Sequence, residues 1–476
     1  MPGVAQRYWT ASTLQGRRWL MEKRLEAVEQ NDLAQLKQLL AAQSSPKPRE
    51  LTSALEIAVM KRSDDYAECV QLLLHYGANP DGHNGSGTPF LHLAADANCH
   101  HILKLLIKYK CDVDIRREDR SSALHRAAWH GHVACLSTLL DAGADVSVLD
   151  AVGRTPLLVA AQRNQTTIIK ILLATKHCLD LCDNYNRSIL YWLVFHENLV
   201  LIGEVLLRGC HRILNQHADT DGMMPLILAA HSGNVDILRA LLEAGASPDL
   251  KDFSGVTAVN VAARHERLTC LCQLVSIGCD VNVCDPEGRT PLMMMLNHSD
   301  VTELLLDAGA DPNMTADHPV TCLWLATEHK FIISVKLLLQ YNARVDVPSG
   351  MDGNKLPLQT AMYEGSLPLV KMLLITSVAM GTDLRWLQDY LRNDNLRSQS
   401  ALDPNVAIAV RWVHDVFDMF YRPQDPPTLK CSCRTLLRRR LGSRALRSRI
   451  DTLQLPPALR DYLKLLELDQ FIADMA

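Results

Sequence analysis

The sequence predicts an all-α solenoid of about ten short helix pairs, with an N-terminal capping unit and a small helical module at the C-terminus. Three observations carry that expectation. A G-x-T-P-L start, or a near relative of it, recurs along the chain, and a Leu-Leu pair followed by Gly-Ala-Asp or a close match comes about seventeen residues later. The copies are spaced mostly 33 residues apart. Leu and Ala dominate an apolar fraction of 48 % in which aromatics are only 5 %, which suits close-packed helices better than a β-sandwich core. In a solenoid each repeat packs only on its neighbours, so 476 residues form one core growing along an axis rather than several globules.

Residues 1–21 form an N-terminal segment without a continuous apolar run, and no signal peptide is expected there. The array spans 22–377, and the stretch from Arg24 to Leu40 reads as a capping helix pair. The clearest copies are GRTPLLVAA from Gly153 to Ala161, GMMPLILAA from Gly222 to Ala230, GRTPL from Gly288 to Leu292, and SALHRAAWHG from Ser122 to Gly131. The Thr slot falls at Ser53, Pro89, Ser122, Thr155, Ser188, Met224, Thr257, Thr290, Thr321 and Leu356, in steps of 36, 33, 33, 33, 36, 33, 33, 31 and 35.

The residue types explain the pattern. Thr155 and Thr290 can cap the first helix through their hydroxyls, and Pro156 and Pro291 suit its first turn. Leu157 and the small pair Ala160–Ala161 face the neighbouring repeat. Leu172–Leu173 and Leu241–Leu242 close second helices, and Gly143, Gly245, Gly278 and Gly309 stop them, because glycine tolerates the left-handed conformation at a helix end. A turn or hairpin finger rich in Asp and Asn follows. The Thr290 repeat has 19 residues from its Thr slot to Gly309 against 21 in its neighbours, so helices shortened by about half a turn are expected. The step of 36 after Ser188 places an insertion near residues 211–220, and Tyr191, Trp192 and Phe195 in that repeat are either repacked core or a local binding patch.

A 33-residue period with a T-P-L-H-x-A core is the ankyrin signature, and residues 22–377 resemble the ankyrin-repeat family. That resemblance implies that His92 and His125, in the family's His slot, tie neighbouring backbone together. It implies protein binding on a concave side built from finger tips and exposed first-helix positions. Candidates are Trp129, His130, Gln162, Arg163, His231, Arg264, His265, Glu328, His329 and Tyr363, with Trp129 foremost because Trp is a common interface hot spot. It also marks Asn282 and Asn313 as finger positions open to asparaginyl hydroxylation.

Residues 378–425 form a helical connector, with apolar residues at helical spacing in 382–393 and 405–422 and a proline-rich break at 423–427. In the module at 426–466, Leu429, Cys433, Leu436, Leu437 and Leu441 share one helix face behind a candidate N-cap, Thr428. A lone amphipathic helix cannot bury such a stripe, so it needs a partner surface. Thr428, Leu429, Cys433 and Leu437 match the BC-box pattern of SOCS boxes within residues 428–437, and 450–463 looks like the cullin box, with Leu453, Leu455 and Pro456 matching and Gln454 standing where the first Pro is expected. Residues 467–476 are a short tail. Repeats followed by such a module resemble the ankyrin repeat and SOCS box family. The resemblance implies that Thr428, Leu429, Cys433, Leu436 and Leu437 engage elongin C, which brings elongin B, and that Leu453, Leu455 and Pro456 engage cullin-5 carrying a RING protein. The chain is then the non-catalytic substrate-recognition subunit of a ubiquitin ligase, with a protein scaffold outside the ligase pathway as the alternative.

Composition excludes other classes. A net charge of −4 does not suggest a nucleic-acid binder, and no apolar run reaches 18 residues, so no membrane span is expected. Fourteen dispersed Cys read as reduced core residues of a cytoplasmic or nuclear protein. Cys270, Cys272, Cys279 and Cys284 lack a zinc-ligand spacing and read as core, and neither a metal nor a cofactor is expected. The basic run from Lys430 to Arg449 is either a nuclear or nucleic-acid signal or the solvated face of a partner-binding helix. No catalytic frame is present.

Overall fold

The computed structural model describes residues 14–41, 48–175, 179–209, 211–315, 320–349 and 355–380, with 382, 386–387, 406–408, 410 and 413. The chain divides into two compact units, Met1–Thr220 and Asp221–Ala476. The first holds the capping pair Leu14–Glu29 and Leu33–Ala41, then the pairs Pro48–Met60 with Ala67–His75, Phe90–Asp96 with His100–Lys108, Ala123–His130 with Val133–Asp141, Pro156–Gln162 with Thr166–Ala174, and Ile189–Phe195 with Leu199–Leu207. The second holds Pro225–Ser232 with Val235–Glu243, Ala258–Arg264 with Leu268–Ser276, Pro291–Met294 with Ser299–Asp307, Cys322–Glu328 with Ile332–Gln340, and Pro357–Tyr363 with Leu367–Met380. A capping pair and ten further pairs match the expected repeat count. Isolated β-bridges such as His83 to Pro89 and Cys182 to Ser188 close finger bases.

The caps form as the sequence expects. Thr155 accepts the Leu158 N–H at 3.2 Å and Thr290 the Met293 N–H at 3.3 Å, with proline in the first turn of both helices. Gly143 and Gly245 take φ of +83° and +95°, where a side chain would be strained. First helices are buried along most of their length: Pro156 to Ala161 are all covered, while second helices bury one stripe, here Ile168, Ile169, Leu172 and Leu173. Each such Leu contributes about 2 kcal/mol of apolar burial.

Two departures from the regular period resolve differently. In the Thr290 repeat the second helix, Ser299–Asp307, keeps nine residues and the first keeps only four, Pro291–Met294. The deficit is therefore not shared between the helices but falls on the first. The buried Thr302 hydroxyl donates to the Met295 carbonyl at 2.8 Å, satisfying an acceptor near the missing turn. The 36-residue step holds an extra helical turn, His211–Leu214, seated through buried Ile213 and Leu214. Tyr191 and Trp192 lie in the core, as the repacking reading expects, while Phe195 is 55 % exposed. Among the cysteines, Cys270 and Cys279 are buried but Cys272 is exposed and Cys284 half-buried. Residue 272 occupies the solvent side of its helix, so it is not core as expected.

The His slot, three residues after the cap, carries the link between repeats. His92 Nε2 meets the Ser121 carbonyl at 2.8 Å, and His125 Nε2 meets that of Arg154 at 2.9 Å. In the second unit Asn260 does the same work, donating from Nδ2 to the Val283 carbonyl at 2.8 Å. The other side of each group closes a capping box: Ser122 N–H donates to His125 Nδ1 and Thr257 N–H to Asn260 Oδ1, both at 3.2 Å. Pro89 has no N–H to give, and His92 Nδ1 is buried without a partner among the described residues.

Burial pushes the His92 pKa down to about 4, against the partial support of the Ser121 carbonyl. As pH falls below 6.5 the unfolded state takes up this proton before the folded state does, so the stability His92 contributes is complete above that pH and is lost toward pH 4. Urea unfolding between pH 7 and 4.5 is expected to fall more steeply in the wild type than in His92→Gln, whose amide can still reach the carbonyl without titrating. Parallel curves would remove His92 from the account.

Candidate protein-binding site

Several fingers are built around one aspartate, and the finger before Pro89 uses Asn84 in the same way. Asp150 is buried; its Oδ1 accepts the N–H groups of Val152 at 2.9 Å and Arg154 at 2.8 Å, and its Oδ2 binds Arg154 Nη2 at 2.7 Å. Asp183 repeats the device with Tyr185, and with Arg187 at 2.8 Å. Asp285 repeats it with Glu287 and Arg289. The sequence signal is D-x-x-[GN]-R, in DAVGR from Asp150, DNYNR from Asp183 and DPEGR from Asp285. This signal lies in the finger, just before the helix-borne motif that marks each repeat.

In the first unit this finger architecture shapes a cleft of about 160 Å³ beside Trp129, lined by Asp119, His125, Arg126, Asp150 and Arg154 among others. Trp129 is half-buried rather than fully exposed, because two guanidiniums lie over its ring: Arg163 at 4.6 Å from the centroid and Arg154 at 5.8 Å. Arg154 is fixed by Asp150 and also donates to Gln162 Oε1 at 2.6 Å. Arg126 donates to Asp96 at 2.6 Å, and His130 lies 3.6 Å from the same carboxylate. Burial lowers the His130 pKa, with Arg126, His132 and Arg163 acting in the same direction and Asp96 opposing. Arg163 is exposed, and among the described residues no carboxylate lies within ion-pair distance of it. Asp119 is held below the usual carboxylate range: burial raises it, but the Ser121 hydroxyl and amide, with Arg117 and Arg126, outweigh burial.

Of the expected contacts in the first unit Trp129 lines the cleft, while Gln162 bonds its Arg154, Arg163 lies over the Trp129 ring and His130 shares Asp96 with Arg126. In the second unit, His231 and His265 are both exposed and meet edge-on at 4.4 Å, and Arg264 is tied to Asp285 at 3.0 Å and Glu287 at 2.9 Å. Glu328 and His329 are exposed at the end of their helix. Tyr363 is exposed in the last pair, with Lys355 Nζ 5.6 Å over its ring. Phe253, at a finger tip and 66 % exposed, was missed; a β-carbon on Gly222 would meet its ring at 2.7 Å.

Asn282 and Asn313 are already engaged. Asn282 Oδ1 accepts the Asp311 N–H at 2.8 Å and its Nδ2 donates to the Gly309 carbonyl at 3.1 Å. Asn313 Oδ1 accepts the Arg344 N–H at 2.7 Å. At the corresponding place elsewhere a carboxylate does the accepting, as Asp81 does for Asp112 and Asp114 for Asp145. Thr428, Leu429, Cys433, Leu436, Leu437, Leu453, Leu455 and Pro456 lie outside the described residues, as does Cys431. Among the described residues no helix is long and apolar enough to cross a membrane.

The family description "Ankyrin repeats (3 copies)" matches overlapping stretches from 25–119 to 292–384, and "SOCS box" matches 425–464. The chain therefore belongs to the ankyrin-repeat family. With the SOCS box behind the array, it is an ankyrin repeat and SOCS box protein. It is 31 % identical over 234 residues to Ankyrin repeat protein nuc-2 of Neurospora crassa, covering 48 % of this chain and 22 % of that protein. It is 26 % identical over 317 residues to E3 ubiquitin-protein ligase KEG of Arabidopsis thaliana, covering 62 % and 19 %. It is 25 % identical over 312 residues to Ankyrin repeat and KH domain-containing protein mask-1 of Caenorhabditis elegans, covering 64 % and 10 %. The chain thus spans no more than 22 % of the length of these relatives.

The stacking of Arg163 on Trp129 is expected to contribute about 0.5–1 kcal/mol, the range for a cation–π pair near solvent. A double-mutant cycle with Trp129→Leu and Arg163→Met, read by urea unfolding, measures it; additive single effects would mean that the contact carries no energy.

Proposed function

We propose that this chain is the substrate-recognition subunit of an elongin B/C–cullin–RING ubiquitin ligase. The observation that carries this reading is the order of the two family matches: a SOCS box at 425–464 directly behind repeats that reach 384. Adaptors of this architecture are non-catalytic. In this reading Thr428, Leu429, Cys433, Leu436 and Leu437 fill an apolar pocket of elongin C, which brings elongin B. Leu453, Leu455 and Pro456 add cullin-5 and its RING protein. The repeats hold a target protein, with Trp129, His130 and Arg163 in the first unit and His231, His265 and Tyr363 in the second as the contacts. No bond-making group is required of the chain. It raises the concentration of target lysines near a charged ubiquitin carrier and so promotes ubiquitination and degradation. We place the protein in the cytoplasm or nucleus, a setting that suits thiols such as those of Cys111, Cys135 and Cys279, which burial pushes up to about 12.

Two measurements test the ligase arm. Affinity purification of the full chain is expected to recover elongins B and C, and Leu429→Pro with Cys433→Phe to abolish that recovery while the repeats stay folded. Undiminished elongin recovery with the double variant would favour a scaffold outside the ligase pathway. Gln454→Pro restores the proline of the cullin-box pattern and is expected to tighten cullin-5 binding severalfold in a titration of the elongin-bound complex. Equal affinities would make position 454 indifferent.

A further inference from the structure

We propose that Asp64, His100 and His101 form a binding site for a divalent transition-metal ion of the zinc class, which ties two successive repeats of the first unit together. The site has no role in the ligase reading above and is independent of it.

Asp64 opens the 3-10 turn Asp64–Tyr66, which is held in place by Ser63, whose hydroxyl accepts the Asp65 N–H at 3.2 Å. The two histidines open the second helix of the next repeat, His100–Lys108. The carboxylate reaches across the repeat boundary: Oδ1 accepts the Ile102 N–H at 3.2 Å, and Oδ2 lies 3.3 Å from the His101 N–H and 3.3 Å from His100 Nδ1. Helical side chains lean toward the N-terminus, so both imidazoles tilt over this carboxylate. Their rings are in contact, with centroids 3.7 Å apart and planes at 43°. One ring nitrogen from each histidine and one carboxylate oxygen lie within 4.8 Å of one another. Around a tetrahedral ion with bonds of about 2.1 Å the ligand atoms sit roughly 3.4 Å apart. Rotation of two partly exposed rings closes that difference without moving backbone.

Two imidazoles and one carboxylate suit zinc, cobalt, nickel or copper(II) and not magnesium or calcium, which take oxygen sets. A single cation shared by both rings and the carboxylate would give each of the three groups a partner. The neighbouring Cys99 is buried with its Sγ 3.8 Å from the Ala97 carbonyl, which leaves a nitrogen–oxygen donor set. Oδ1 keeps its bond from Ile102 while Oδ2 turns to the metal, so the backbone orients the ligand. His101 is exposed, and the fourth position opens to water.

The test uses the full chain freed of metal by a chelator. Zinc chloride is titrated by calorimetry, thermal unfolding is followed with and without zinc, and cobalt(II) is added as a visible-absorption probe. The wild type is expected to bind a zinc equivalent that raises the unfolding midpoint and to give the strong d–d bands of a tetrahedral cobalt site. His101→Ala, at an exposed position that does not endanger the fold, and Asp64→Asn, which keeps the backbone acceptor, are expected to weaken that equivalent at least about tenfold and to lose both the shift and the bands. A wild type with no zinc-dependent shift overturns the proposal. So does a His101→Ala titration that matches the wild type, because zinc is then held elsewhere.

Discussion

Hydrogen bonds that cross from one repeat to the finger of the next set much of this architecture. Within the finger the Ser121 carbonyl already accepts the Arg117 N–H at 3.1 Å and the Arg154 carbonyl the Asp150 N–H at 3.0 Å, so the histidine that reaches each from the preceding repeat uses its second lone pair. His92, His125 and Asn260 each place a nitrogen on the finger of the following repeat. Finger tips add backbone bonds in register: Ala151 N–H to the Asp119 carbonyl, Asn184 N–H to that of Val152, and, in the second unit, Phe253 N–H to that of Asp221. A third ladder runs where second helices end, from Asp81 to Asp112, Asp114 to Asp145, Asp249 to Asp280 and Asn282 to Asp311. These ladders fix rotation and register between neighbours, which apolar contact alone leaves free, because burial is non-directional.

Where the bridging residue is missing, the finger carbonyl keeps only its local partner, as that of Arg187 keeps the Asp183 N–H at 3.2 Å and that of Val256 the Asp252 N–H at 2.9 Å. Leu158, Ile227 and Met293 occupy the slot without a polar atom. Tyr191 reaches the Asp219 carboxylate instead of a carbonyl, and burial followed by that bond pushes its pKa above the usual phenol range. Trp324 fills the slot with bulk, and its indole N–H is buried without a partner among the described residues. The first helix before it, Pro291–Met294, is also the shortened one, so two irregularities fall in consecutive repeats. Local strain of this kind is tolerated because each repeat answers only to its neighbours.

The period, caps and glycine stops were legible in the sequence because each rests on a local backbone requirement. Thr155, Pro156 and Gly143 declare their roles within a few residues of themselves. Asn260 was not legible as a His-slot residue, because matching to T-P-L-H compares identities while the structure requires a donor at one height and an acceptor at another. The Thr290 repeat illustrates a different limit. Its missing residues could be counted, but which helix would shorten depends on how each helix end is sealed by residues distant in the repeat, as the Met295 carbonyl is by the Thr302 hydroxyl. At the candidate site, Trp129 was identified by type and position, yet its two guanidinium neighbours come from the next repeat and are invisible to any local pattern. Thr428 to Leu437 and Leu453 to Pro456 rest on sequence resemblance and the SOCS-box match alone.

The same ladders bear on the proposed recognition. Binding a protein costs the freedom of every side chain that must be ordered, and surfaces ordered in advance avoid part of that cost. Arg154 is already held by Asp150 and Gln162, Arg126 by Asp96, and Trp129 has the Arg154 and Arg163 guanidiniums over its ring. Of Arg126, Arg154 and Arg163, only Arg163 has no ion pair among the described residues, so a cation without a neighbouring acid lies over the aromatic ring. A target carboxylate placed there would gain a partner without displacing one, whereas at Arg126 or Arg154 it would have to break an existing pair. Selectivity would then come as much from the arginines that are occupied as from the one that is not.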